Sequence, residues 1–262
     1  MNRRNPMPAS SRSPIFATTR WTMVASAAGG EIRSAEEALE AICQTYWFPL
    51  YAFVRRQGHI KEEAEDLTQA FFVDLLERKP WQQLDQERGK FRAFLLAALK
   101  HFLANHRETA RCQKRGGSAH HLSLDWQNAD SRFHLADHTQ SAPDHAYDRE
   151  WGVQLLEQVL EHLRDEARAE GTGGRFEILK DFLSSVGGEA SYASAGETLS
   201  INAGAARVAV HRLRKRYRQL LREEIARTLA DPAMVEDELR SLFAAFRQPT
   251  TSVPSMRPPA EP

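Results

Sequence analysis

The stretch that decides the fold runs from Tyr192 to Arg222: YASAGETLSINAGAARVAVHRLRKRYRQLLR. It reads as a helix, a short turn at Ser200-Ile201-Asn202, and a longer second helix. Ala195, Leu199, Ile201, Ala206 and Val210 are spaced to form a small shared core that fixes two helices at a steep angle, the helix-turn-helix layout. The second helix of such a unit can enter the major groove of duplex DNA, its first residues on bases and its later cations on phosphates. Arg207 and His211 stand four apart and face the groove together, with Ala205 and Val208 at the same tip. Arg212, Arg214 and Lys215, followed by Arg216 and Arg218, supply charge for the backbone. The plain alternative is a basic amphipathic helix inside an ordinary bundle.

Outward from this stretch, the whole chain bounds the reading. Its 262 residues suggest one or two domains and can bury a core without staples. The two cysteines, Cys43 and Cys112, form no CxxC pattern, which excludes a disulfide framework and a cysteine-rich zinc site. No apolar run reaches the roughly 20 residues needed to cross a bilayer, and residues 1–14 lack the apolar segment of a signal peptide. A cytoplasmic protein without membrane insertion is expected. The 35 Lys+Arg balance the 35 Asp+Glu, but not evenly along the chain. Lys61 to Glu87 holds eight acidic and three basic residues, and Arg88 to Arg115 holds eight basic and one acidic. Ile201 to Arg222 holds seven basic and none acidic. Such blocks can present separate acidic and basic surfaces, and two basic helices suggest two contacts with a polyanion.

Hydrophobic spacing predicts an all-α protein of two helical domains joined by a flexible linker. Residues 1–14 read as a disordered tail. The first domain, 15–115, begins with a helix near Thr18 that Gly29-Gly30 ends, and resumes at an N-cap at Ser34. Tyr46, Trp47, Leu50, Tyr51 and Val54 continue an apolar stripe that Pro49 is expected to kink or restart. A turn at Gly58-His59 precedes a helix from about Lys61 to Arg78, and Pro80 stops it. Phe91, Phe94, Leu95, Ala98, Leu99, Phe102 and Leu103 then mark one apolar face, with Arg92, Lys100, Arg107 and Arg111 away from it. Residues 116–147 read as the linker, which only Leu122, Leu124, Trp126, Phe133 and Leu135 can anchor. The second domain, 148–230, carries the stripe Trp151, Leu155, Leu156, Val159, Leu160 and Leu163 before the helix-turn-helix. Asp231-Pro232 opens a last helix within 231–248, and 249–262 reads as a disordered tail.

Three further patterns bear on function. Glu62, Glu65, Asp66 and Gln69 share a polar helical face, read as an acidic interaction surface because no HExxH or carboxylate–His constellation accompanies it. On the Phe91–Arg115 segment the aromatics belong to the core stripe. His101, Asn105 and His106 lie off it or at its edge, and are the better candidates for touching unpaired bases. The five histidines His120, His121, His134, His138 and His145 fall in the linker, where a solvated segment outweighs a metal site. No Walker A, GxGxxG or GxSxG motif occurs, and no cofactor is expected.

In this order of parts the chain resembles a bacterial sigma factor of the extracytoplasmic-function group, of a planctomycete-type subgroup. Asp66-Leu67-Thr68-Gln69-Ala70-Phe71-Phe72 is similar to the family's D-L-x-Q-E-x-F, which binds the clamp helices of RNA polymerase, with Ala70 in place of Glu. Gly204 to Lys215 resembles G-T-V-K-S-R-L-H-R-A-R, with Ala209 in place of an Arg contact. The resemblance covers about 34–115 and 148–228. It implies a sigma region 2-like domain that docks on core polymerase through Glu65, Asp66, Gln69 and Phe72. Capture of the minus-ten element would fall to Arg92, Lys100, His101, Asn105, His106, Arg107, Arg111, Lys114 and Arg115. A region 4-like domain would read minus-thirty-five duplex through Ala205, Arg207, Val208, His211, Arg212, Arg214 and Lys215.

The function so implied is promoter recognition and opening at transcription initiation, by a protein that is a monomer when free and no enzyme, since no bond is made or broken. Core RNA polymerase and promoter DNA are the implied partners, with an anti-sigma or other regulator beside them. Thirty flexible linker residues would span roughly 30 Å. The apolar face Leu239, Leu242, Phe243 and Phe246 raises an autoinhibitory last helix as a hypothesis. The rival reading is a stand-alone helix-turn-helix regulator, which leaves the acidic face and the basic 92–115 helix unexplained. A His-ligated metalloprotein using 134–145 is the remaining alternative.

Overall fold

The computed structural model describes residues 45–78, 90–112, 126, 128–136, 142–185, 188–229 and 231–247. The expected features at Thr18, Gly29-Gly30, Ser34, Pro80, Lys114, Arg115, Leu122 and Leu124, and both tails, lie outside them. Every regular element among the described residues is a helix, and the protein is all-α there. In chain order these are α1 (45–56), α2 (Lys61–Arg78), α3 (Phe91–Cys112), α4 (Ala129–Ala136), α5 (Pro143–Ala169) and α6 (Gly173–Leu179). A 3-10 turn, Lys180–Leu183, extends α6; then come α7 (Glu189–Thr198) and α8 (Ala203–Arg227). A second 3-10 turn, Pro232–Met234, leads into α9 (Val235–Arg247). One isolated antiparallel bridge joins Lys90 to Leu229.

The helix α1 runs through Pro49 without restarting there. A proline inside a helix costs about 3 kcal/mol. Against that, Tyr46, Phe48, Leu50, Tyr51 and Phe53 are all buried, each contributing roughly 1.5–3 kcal/mol, so packing wins. In α3, Phe91, Leu95, Leu99 and Leu103 are buried at four-residue steps, while Phe94 and Phe102 sit half-buried at the edge of that stripe.

The second helical block begins at Pro143 rather than near Asp148, because Pro143 suits the first helical turn and Asp144 meets the positive end of the dipole there. α5 is the central pillar. Tyr147, Trp151, Leu155, Val159 and Leu163 line its buried face, and α6, α8 and α9 pack on it. The Tyr147 hydroxyl donates to the Arg92 carbonyl at 3.0 Å, and Gln158 donates to the Thr45 hydroxyl at 3.0 Å.

The span expected as a flexible linker contains the packed helix α4. Ala129 and Phe133 are buried. Trp126 lies edge-on to Trp47 at 5.3 Å and to Tyr51 at 5.9 Å. Arg55 pairs with Asp130 at 2.9 Å, and the Arg132 guanidinium lies 4.1 Å over the Phe48 ring. The helices before and after 116–147 contribute to one large apolar cluster reaching from Tyr46 to Leu242. A smaller cluster of Leu179, Phe182, Tyr192, Ala195, Ala209 and Val210 holds α7 against α8.

The last helix closes the molecule. Asp231 accepts a hydrogen bond from the Ala233 amide at 2.9 Å, and α9 then buries Glu238, Leu239 and Leu242. It lies against Gly152 of α5, where an added Cβ would meet the ends of the Leu242 and Phe246 side chains and these would have to shift.

Candidate nucleic-acid interface

The turn between α7 and α8 is built from local chemistry. Ser200 takes a positive φ of 55°. The Ile201 amide donates to the Gly196 carbonyl at 2.9 Å. A Cβ on Gly196 would lie 2.7 Å from the Ile201 carbonyl oxygen, so the turn folds back over a residue that must lack a side chain. Asn202 caps α8, its side chain accepting from the Ala205 amide at 2.7 Å.

α8 then presents a cationic face. Ala205, Arg207, Val208, His211, Arg212 and Lys215 are all exposed, and so is Arg218, one turn beyond Lys215. Among the described residues no ion pair engages His211, Arg212, Lys215 or Arg218. Arg207 is drawn back, 2.5 Å from Glu189 and 5.4 Å from the centre of the Tyr192 ring. One expectation changes here. Arg214 turns inward and donates to the Phe182 carbonyl at 3.0 and 2.7 Å and to the Ser185 carbonyl at 2.7 Å, tying α8 to the end of the α6 turn. It is a structural residue. Ala209 is buried in the small core, so this position offers no surface to DNA.

The basic helix α3 divides in the same way. Arg92, expected on DNA, is only 7% exposed. It pairs with Glu238 of α9 and Asp148 of α5 and lies 4.9 Å over the Trp151 ring. Lys90 adds a 2.5 Å contact to Glu238 and donates to the Ser241 hydroxyl at 3.2 Å. Burial by itself would raise the Glu238 carboxyl, but the two cations outweigh it and hold that carboxyl below the usual range. Lys100 is exposed and 2.7 Å from Asp144. His101, Asn105 and His106 are exposed and line a groove of about 450 Å³ between α2 and α3. Its floor includes Phe71, Leu75, Phe94 and Phe102. Phe71 is a core residue, and Phe94 and Phe102 are half-buried against the same core, at the edge of the apolar stripe beside the polar residues. Arg107 and Arg111 fall within the last turns of α3.

On α2, Asp66 and Ala70 are exposed, while Glu65 and Gln69 are half-buried. Phe72 is fully buried. It is a core residue and has no surface to give a partner. Burial pushes the Glu65 carboxyl up, helped by its acidic neighbours and opposed by Lys61. Of the histidines, His134 is exposed and lies 3.3 Å from Asp130, and His145 is exposed. His120, His121 and His138 lie outside the described residues. No group of three or more His, Cys, Asp or Glu is placed to hold a metal among the described residues. No helix there is long and apolar enough to cross a membrane.

No family model, no curated protein and no solved structure matches this chain.

Proposed function

We propose that the protein is a sigma-type transcription initiation factor, which binds core RNA polymerase and directs promoter recognition and DNA opening. The observation that carries the reading is the exposed cationic face of α8, set on a capped helix-turn-helix, on which Arg212, Lys215 and Arg218 have no ion-pair partner among the described residues. Support for a second nucleic-acid contact comes from the α2–α3 groove, where an apolar floor beneath His101, Asn105 and His106 suits an unpaired base. Melting would draw on binding free energy, with unpaired bases captured outside the stack. Glu65, Asp66 and Gln69 remain as the residues of the acidic face that can meet polymerase.

The stand-alone DNA-binding regulator stays as the second reading. It is favoured by one specific observation: Phe72 and Arg92, two of the residues assigned to polymerase and to the minus-ten strand, are core residues.

Co-purification with bacterial core RNA polymerase separates the two. Wild-type protein is expected to be captured stoichiometrically, and the Asp66→Ala/Gln69→Ala double variant to be captured weakly. A folded wild type that is not captured at low salt, but binds duplex DNA alone, overturns the sigma reading in favour of the regulator.

A further inference from the structure

We propose that Val208 is a specificity residue, which reads the C5-methyl group of a thymine in the DNA major groove. This rests on the reading of α8 as a major-groove helix.

Val208 is 51% exposed. It stands on the same face as His211 and Arg212, one turn on, and Lys215, two turns on. A protein partner would have to strip water from Arg212 and Lys215 to cover a single valine, which gains too little from so small an apolar area. The fitting surface is apolar at one point and anionic around it. The major groove of duplex DNA is such a surface: the thymine methyl is its apolar group, ringed by base acceptors and phosphates.

The first turn of α8 supports close approach. Ala203, Gly204 and Ala205 carry nothing longer than a methyl group, and Ala206 faces the protein. Asn202 is committed to its cap at 2.7 Å, and Arg207 is held back by Glu189 and Tyr192. Val208 is thus the first branched side chain to project from the tip. Its partner is a thymine methyl, with His211 and Arg212 positioned for the neighbouring bases or phosphates.

The test uses the full chain and a randomised DNA duplex, with and without core RNA polymerase. Enriched duplexes are remade with each thymine replaced in turn by uracil, which removes the methyl and keeps base pairing. For wild type, at least one replacement is expected to weaken binding about fourfold, the worth of one buried carbon group. Val208→Ala is expected to bind the thymine duplex about fourfold more weakly and to lose the thymine-over-uracil preference at that position. Because Val208 is exposed, this variant should melt like wild type, which circular dichroism checks. Lys215→Ala is expected to weaken both duplexes equally. Equal binding of thymine and uracil duplexes at every position, or an undiminished preference in Val208→Ala, overturns the inference alone. A pool that yields no enriched sequence under either condition overturns the DNA-binding reading as well.

Discussion

Arg92 shows how much a single side chain can couple. Its guanidinium joins the start of α3 to Asp148 on α5 and Glu238 on α9, and it lies over Trp151. Removing one partner of a buried pair leaves the other charge desolvated. Arg92→Ala is therefore expected to cost about 3 kcal/mol, the low end for a broken buried pair, because Lys90 still faces Glu238. Urea unfolding of Arg92→Ala, Glu238→Ala and the double variant measures the coupling. The double variant should lose clearly less than the sum of the singles. Additive losses would mean that the two side chains do not stabilise each other.

At the scale of the element, the helix-turn-helix depends on a tight turn and a cap. Gly196 faces backbone, not a flexible side chain, so an added methyl group has nowhere to go. Gly196→Ala is expected to destabilise by roughly 1–3 kcal/mol, the usual cost of overpacking, and to weaken duplex binding through the displaced turn. Asn202→Ala should cost about 1 kcal/mol through the lost cap. Thermal unfolding monitored by circular dichroism reads both. A Gly196→Ala variant as stable as wild type would remove the close-approach argument. The same reasoning explains why α1 continues through Pro49. A local preference worth a few kcal/mol yields when residues 45–54 are all buried.

For the whole molecule, the shared core and the α9 contacts make stability depend on buried carboxylates of opposite kinds. Glu238 is held low: burial opposes its charge, but Arg92 and Lys90 prevail. Glu166 is held low chiefly by its hydrogen bonds from Arg216, against partial burial. Both contribute stability above the usual carboxylate range and lose it as pH falls through their depressed values. Glu150 is pushed up by burial, with Arg149, Arg132 and Arg56 opposing. Its contribution runs the other way, lost as pH rises through the raised value. Glu238→Gln is thus expected to lower the unfolding temperature at neutral pH and to flatten the acid arm. Glu150→Gln should leave the acid arm and flatten the slope above it. Unfolding temperatures measured across the carboxylate range check both, and an unchanged acid arm in Glu238→Gln would contradict the assignment. The docked α9 leaves Val208, His211, Arg212 and Lys215 exposed, so it does not cover that face of α8.

The sequence by itself determined the helices and the candidate surface of α8. Four-residue spacing, a capping Asn202 and a run of cations are local signals, and they survive because a helix orients neighbouring side chains by its own period. It also marked the polar residues of the α2–α3 groove. Only the tertiary structure decided which cations are spent. Arg92, Arg214 and Lys215 look alike in sequence, yet the first is buried under α9, the second holds three carbonyl hydrogen bonds, and the third is exposed. It also decided that the supposed linker holds a packed helix and that 116–147 does not divide the core. The physical reason is that burial and ion pairing depend on partners distant in the chain. Glu238 meets Arg92, and Phe133 meets Tyr51, across separations that no spacing rule along one helix encodes.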